Sequence, residues 1–142
     1  MSEVIAKVTY TGALQFVGSA NSGHAIVMDG PAEVGGTNTG PRPMELLLIG
    51  LGGCTGMDAI SLLKKKRQNV TALEVTVKGN KDESSQPNRF TEVQIMFTVR
   101  GKGVDEAAVK RSIELSMEKY CSVKATLEQN TKVGFAYEII ED

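Results

Sequence analysis

The chain has 142 residues with 16 basic and 17 acidic side chains, a formal net charge of −1. That balance excludes the basic footprint of a nucleic-acid binder, and 5% aromatic residues without a tryptophan leave no stacking platform for bases. With 41% apolar and 23% charged residues, the composition fits one globular domain over residues 1–142, long enough to bury a core without disulfide staples.

Residues 1–7 lack a basic region followed by an apolar core, so no signal peptide is expected. The longest uninterrupted apolar run covers residues 46–51, well short of the ~20 needed to span a bilayer. A cytoplasmic protein without a membrane partner is the expectation. In that compartment structural disulfides are rare.

Residues 4–10, 14–18 and 24–28 are rich in β-branched and apolar side chains and are separated by turn formers, which predicts a three-strand meander. Asp29-Gly30-Pro31 opens a loop that runs to Pro41. Pro43 suits the first position of a helix reaching to about Arg67. Met44, Leu46, Leu47, Leu48, Ile49 and Leu51 make its first half apolar on nearly every side, the pattern of a helix buried all round. Lys64-Lys65-Lys66-Arg67 complements the negative end of the helix dipole and reads as a solvated terminus. Alternating strands follow over residues 72–78 and 90–100, with a polar hairpin loop between them. Asp105-Glu106 opens a second helix, a short third helix follows Cys121 to about Asn130, and residues 133–140 close as a strand. The order β-β-β-α-β-β-α-α-β is α+β.

The first helix contains Gly50, Gly52, Gly53 and Gly56 in its interior. Each costs about 1 kcal/mol relative to alanine, so another helix, a second subunit or a ligand is expected to approach this backbone closely. Cys54 follows Gly53, and helical spacing places Asp58 one turn beyond it. A nearby carboxylate opposes thiolate formation. The only other cysteine, Cys121, follows Lys119 and Tyr120 at a predicted helix start, where cation and dipole both favour thiolate. Two cysteines and one histidine are too few for a structural zinc site. His24 sits on a predicted strand with no acid or cysteine near it in sequence. Met28, Met57, Met96 and Met117 read as fillers of core gaps.

Pro41-Arg42-Pro43-Met44-Glu45-Leu46-Leu47-Leu48, then Gly52-Gly53-Cys54, and later Glu118-Lys119-Tyr120-Cys121-Ser122-Val123, resemble the OsmC/Ohr family, nearest its OsmC-like subgroup. The resemblance implies antiparallel sheets packed around long central helices in an intertwined homodimer, with each site at the subunit interface and with neither a metal nor an organic cofactor. It implies that Cys54 attacks a small hydrophobic hydroperoxide and Cys121 resolves the sulfenic acid as a disulfide, which a small dithiol reduces. Two positions differ from the family's peroxidases: no arginine precedes Arg42, and the residue after Pro43 is Met44, with the acid one step later at Glu45. Arg42 and Glu45 are therefore the supporting candidates. The alternative is a non-catalytic homodimer that holds a small molecule, with its cysteines reduced and packed.

Overall fold

The computed structural model describes residues 1–142 throughout. Two compact units divide the chain, Met1–Leu47 and Leu48–Asp142. In the first, strands β1 (Lys7–Gly12), β2 (Gln15–Ser19) and β3 (Ala25–Met28) form the predicted antiparallel meander in the order β1-β2-β3. Tyr10 pairs with Phe16 across β1 and β2, their ring centroids 5.5 Å apart. Val8, Tyr10, Phe16, Ile26 and Val27 are nonetheless exposed, and Asp29 is this unit's one buried residue. Its carboxylate organises the following loop. Oδ1 accepts from the Gly30 amide at 2.7 Å, and Oδ2 accepts from the Thr37 and Thr39 hydroxyls at 2.7 and 2.6 Å.

Helix α1 (Pro43–Lys65) starts with proline at its first position, as its fixed φ and missing amide proton favour. In the second unit it is followed by β4 (Val70–Lys81), β5 (Phe90–Gly101), α2 (Glu106–Leu115), a π-helical turn (Ser116–Tyr120), α3 (Ser122–Leu127) and β6 (Lys132–Glu141). The third helix thus stops short of the predicted Asn130. The sheet order is β4-β5-β6. β4 and β5 pair antiparallel, but β5 and β6 pair parallel, so this sheet is mixed and not antiparallel throughout. The helical segment between β5 and β6 is the reason, because a crossover of a dozen or more residues returns the chain in the same direction.

The core joins Leu51, Ala59 and Leu63 of α1, Val93, Ile95, Phe97 and Val99 of β5, and Val109 and Ile113 of α2. Burial on α1 corrects the expectation of a helix buried all round. Only Leu51, Thr55, Ala59 and Leu63 are buried, one stripe at four-residue spacing. Ile49 and Met57 stand 59% and 73% exposed. Unlike the short run at residues 46–51, α1 as a whole is long and apolar enough to span a bilayer by length and composition. Here its buried stripe belongs to a protein core.

The glycines of α1 divide by direction. A Cβ at Gly52 would lie 3.0 Å from Val77 Cγ2, and one at Gly56 would lie 3.4 Å from Val75 Cγ2. A strand of the same chain, a partner absent from the expected set, therefore accounts for two of the four. A Cβ at Gly50 or Gly53 would meet no atom within 4 Å.

Candidate functional site

Cys54 and Asp58 lie one turn apart on α1 and share a face, each partly buried. Cys121 reaches them from the junction between the π turn and α3. Its backbone amide bonds to the Ser116 carbonyl at 2.8 Å, the five-residue bond of a π turn, after which the chain turns extended at φ −75° and ψ 100°. Such turns frequently mark functional sites because they offset a side chain from the regular helical register. Cys121 then caps α3, its Sγ accepting from the Lys124 amide at 3.4 Å. The Sγ atoms of Cys54 and Cys121 and a carboxylate oxygen of Asp58 all lie within 4.8 Å of one another. Both cysteines are free thiols.

A polar chain supports this group. The Ser116 hydroxyl donates to Asp58 Oδ2 at 2.8 Å, and Thr55 Oγ1 stands 2.9 Å from Ser116 Oγ. Thr55 and Ser116 are fully buried. Buried hydroxyls need partners, and this pair finds them in each other and in Asp58. Sequence reading placed Asp58 beside Cys54 but missed Thr55 and Ser116. The available signal was Thr55 standing in the four-residue stripe Leu51, Ala59, Leu63, where only an apolar or internally bonded side chain fits.

The expectation that Cys121 is the activated thiol is overturned. Burial pushes its pKa up to about 11, the Lys124 amide works in the opposite direction, and the Cys54 sulfur and Asp58 carboxylate add to the rise. Desolvation disfavours the charged thiolate, and two electron-rich neighbours reinforce that preference. The cation expected to help, Lys119, instead lies over the Tyr120 ring at 5.5 Å. Lys124 pairs with Glu128 at 2.6 Å.

Arg42 and Glu45 build the start of α1. Glu45 Oε1 accepts from the Arg42 backbone amide at 2.8 Å, the reciprocal half of a capping box. The Arg42 guanidinium donates through Nη1 to Asn38 Oδ1 at 2.8 Å and the Gly40 carbonyl at 3.1 Å. Arg42 also lines an apolar cavity of about 620 Å³ in the first unit, with Val8, Leu14, Phe16 and Met28. His24 is exposed just ahead of β3. Of the four methionines read as core fillers, Met117 is buried in the core, Met28 lines the cavity, and Met57 and Met96 are exposed.

Residues 36–136 match the family described as OsmC-like protein. The chain is 38% identical to Protein YhfA of Escherichia coli strain K12 over 135 residues, covering 95% of this chain and 97% of YhfA. Among solved structures, a hypothetical protein from Aquifex aeolicus VF5 superposes with a TM-score of 0.86 at 30% identity, covering 100% of this chain and 99% of that one. An organic hydroperoxide resistance protein from Elizabethkingia anophelis superposes with a TM-score of 0.69 at 17% identity over 99% and 98% of the two chains, a likeness of fold.

Proposed function

We propose that this chain, which belongs to the OsmC-like family, is a thiol-dependent peroxidase that reduces organic hydroperoxides. The observation that carries this reading is the placement of two free sulfurs, from α1 and from the end of the π turn, within 4.8 Å of each other. The Cys54 thiolate attacks the distal oxygen of the hydroperoxide. The O–O bond breaks, Cys54 becomes a sulfenic acid, and the leaving alkoxide departs as the alcohol by taking up the proton released when the thiol ionised. Cys121 then displaces water from that sulfenic acid, and a disulfide forms. A small dithiol reduces it and is itself oxidised.

Exposure supports this division of roles. Cys54 is the more accessible thiol, and Cys121, at 4% exposure, keeps its proton until the sulfenic acid forms beside it. Glu45 and Arg42 are given the supporting role of fixing the start of the helix that carries Cys54. The working form is a homodimer with its sites at the subunit interface, acting in the cytoplasm. The exposed apolar strands of the first unit and the open face of α1 around Ile49, Gly53 and Met57 support a second copy as their cover. Solved relatives named as organic hydroperoxide resistance proteins support the substrate class.

The test is consumption of an alkyl hydroperoxide with dithiothreitol or lipoamide as reductant. Turnover that vanishes in Cys54→Ser is expected. Equal rates for wild type and Cys54→Ser would reject the enzymatic reading. The apolar cavity beside Arg42 favours a second reading, a binding protein for a small amphipathic molecule, for which a co-purified ligand in an inactive protein is the signature.

A further inference from the structure

The group at the centre of the site holds more than a redox pair. We propose that reduced Cys54, Cys121 and Asp58 form a three-ligand site for a soft or borderline divalent cation of the zinc class. This site stands whether or not the thiols turn over hydroperoxide. It also revises the expectation that two cysteines and one histidine exclude a metal. That count applies to closed four-ligand structural sites, whereas three protein ligands with an open fourth position make the other common class.

The geometry fits this class in three respects. The three ligand atoms lie within 4.8 Å of one another, and tetrahedral bond lengths call for sulfur–sulfur separations of about 3.8 Å, so the side chains need move by no more than about 1 Å. Two ligands come from one turn of α1 and the third from a different element, so the cation would bridge α1 to the start of α3. Outer hydrogen bonds are already in place, from Ser116 to Asp58 Oδ2 at 2.8 Å and from the Lys124 amide to Cys121 Sγ at 3.4 Å. Orientation of first ligands by such partners is a regular property of metal sites. Asp58 also borders a cavity of about 330 Å³, with Ser61, Leu62, Lys65 and Tyr120.

Two thiolates select against magnesium and calcium, which take oxygen ligands. Binding sends the two thiol protons to solvent and leaves both sulfurs at the oxidation state of a thiolate. Metal and disulfide are consequently exclusive, since each needs both sulfurs. A bound cation would hold the pair reduced, and oxidation would expel it.

The experiment titrates the reduced full-length chain with cadmium, followed by its ultraviolet thiolate-to-metal absorption, and with zinc in competition. One cadmium per chain is expected, displaced by zinc and unaffected by excess magnesium. Ser116→Ala should weaken binding by roughly 10–100-fold, and Asp58→Asn or Cys121→Ser by more. His24→Ala should change nothing. Cadmium binding that survives both Asp58→Asn and Cys121→Ser at wild-type strength would overturn the site in favour of a simple thiol adduct at Cys54, as would the absence of a band. Should a variant fail to fold, the wild type decides alone. Saturating cadmium must protect Cys54 from iodoacetamide and release two thiol protons per chain, where a simple adduct at Cys54 releases one, and the disulfide form must bind none. Because hydroperoxide turnover is read separately, failure here leaves the peroxidase reading standing, and the converse also holds.

Discussion

The Ser116 hydroxyl donates its proton to Oδ2 of Asp58 across 2.8 Å, tying the end of α2 to the face of α1 that carries Cys54. Ser116 has one proton to give, so the 2.9 Å contact with Thr55 must run from the Thr55 hydroxyl to Ser116. The result is a directed chain, Thr55 to Ser116 to Asp58, inside a core made mostly of apolar side chains.

Removing the middle of that chain should cost more than removing its beginning. Ser116→Ala strands the buried Thr55 hydroxyl and takes a donor from Asp58, a loss of about 1–3 kcal/mol. Thr55→Val removes only the first donor and keeps the shape of the side chain. The double variant should lose less than the sum of the two, because one bond is counted in both. Urea denaturation of the four proteins checks this, and strict additivity would mean that the hydroxyls do not interact.

Thiol labelling should follow exposure. Cys121 is 4% exposed, and its pKa is pushed up to about 11, chiefly by burial. A thiol of raised pKa is largely protonated and unreactive at neutral pH. Iodoacetamide at pH 7 to about 8 should therefore modify Cys54 first and leave Cys121 until the protein unfolds or the pH approaches that value. Peptide mass mapping over a time course reads the order. First labelling at Cys121 would reverse the roles assigned to the two cysteines.

The two kinds of glycine on α1 make separable predictions. Gly52→Ala drives a methyl to 3.0 Å from Val77 Cγ2, so overpacking of about 1–3 kcal/mol opposes a helix-propensity gain of about 1 kcal/mol. Its effect belongs to the fold of one chain. Gly53→Ala meets no atom within 4 Å and should gain about 1 kcal/mol in an isolated chain. If a second copy covers this face, the same methyl weakens association instead. Denaturation midpoints at several protein concentrations distinguish the cases, because only an association defect depends on concentration.

Much of this architecture was legible in the chain because local rules agree there. Pro43, the alternation over residues 90–100 and Asp105 each specify their element without help from distant residues. Asp105 caps α2 through a 3.1 Å bond from the Ala107 amide. The two cysteines stand out as candidates since each lies at an irregularity of pattern, and the fold brings their sulfurs within 4.8 Å of each other. What the chain could not reveal depended on tertiary placement. The raised pKa of Cys121 is not legible locally, because burial in the folded core outweighs the nearby cation and helix start. Gly52 and Gly56 were given the wrong class of partner because strand β4 is more than ten residues away in sequence and packs there only in the fold. Asp29 was read as a turn former, whereas Thr37 and Thr39 make it the anchor of a whole loop.

That anchor sets a pH dependence. The Thr39 hydroxyl, then the Thr37 hydroxyl, outweigh the opposing effect of burial and hold the Asp29 carboxyl well below the usual carboxylate range. In the unfolded chain the same group titrates near its ordinary value of about 3.9. Between those two values the unfolded state binds more protons than the folded one, so stability rises with pH through that window. The contribution is complete above about pH 5 and is lost progressively as the pH falls below about 4. Asp29→Asn removes the charge and turns an amide toward donors that need an acceptor. It should therefore be less stable than wild type at neutral pH, and the gap should narrow as the wild type is acidified. Urea midpoints for both proteins at about pH 3, 4, 5 and 7 test the sign. A gap that stays constant, or widens toward acid, would mean that Asp29 does not hold the loop as a carboxylate.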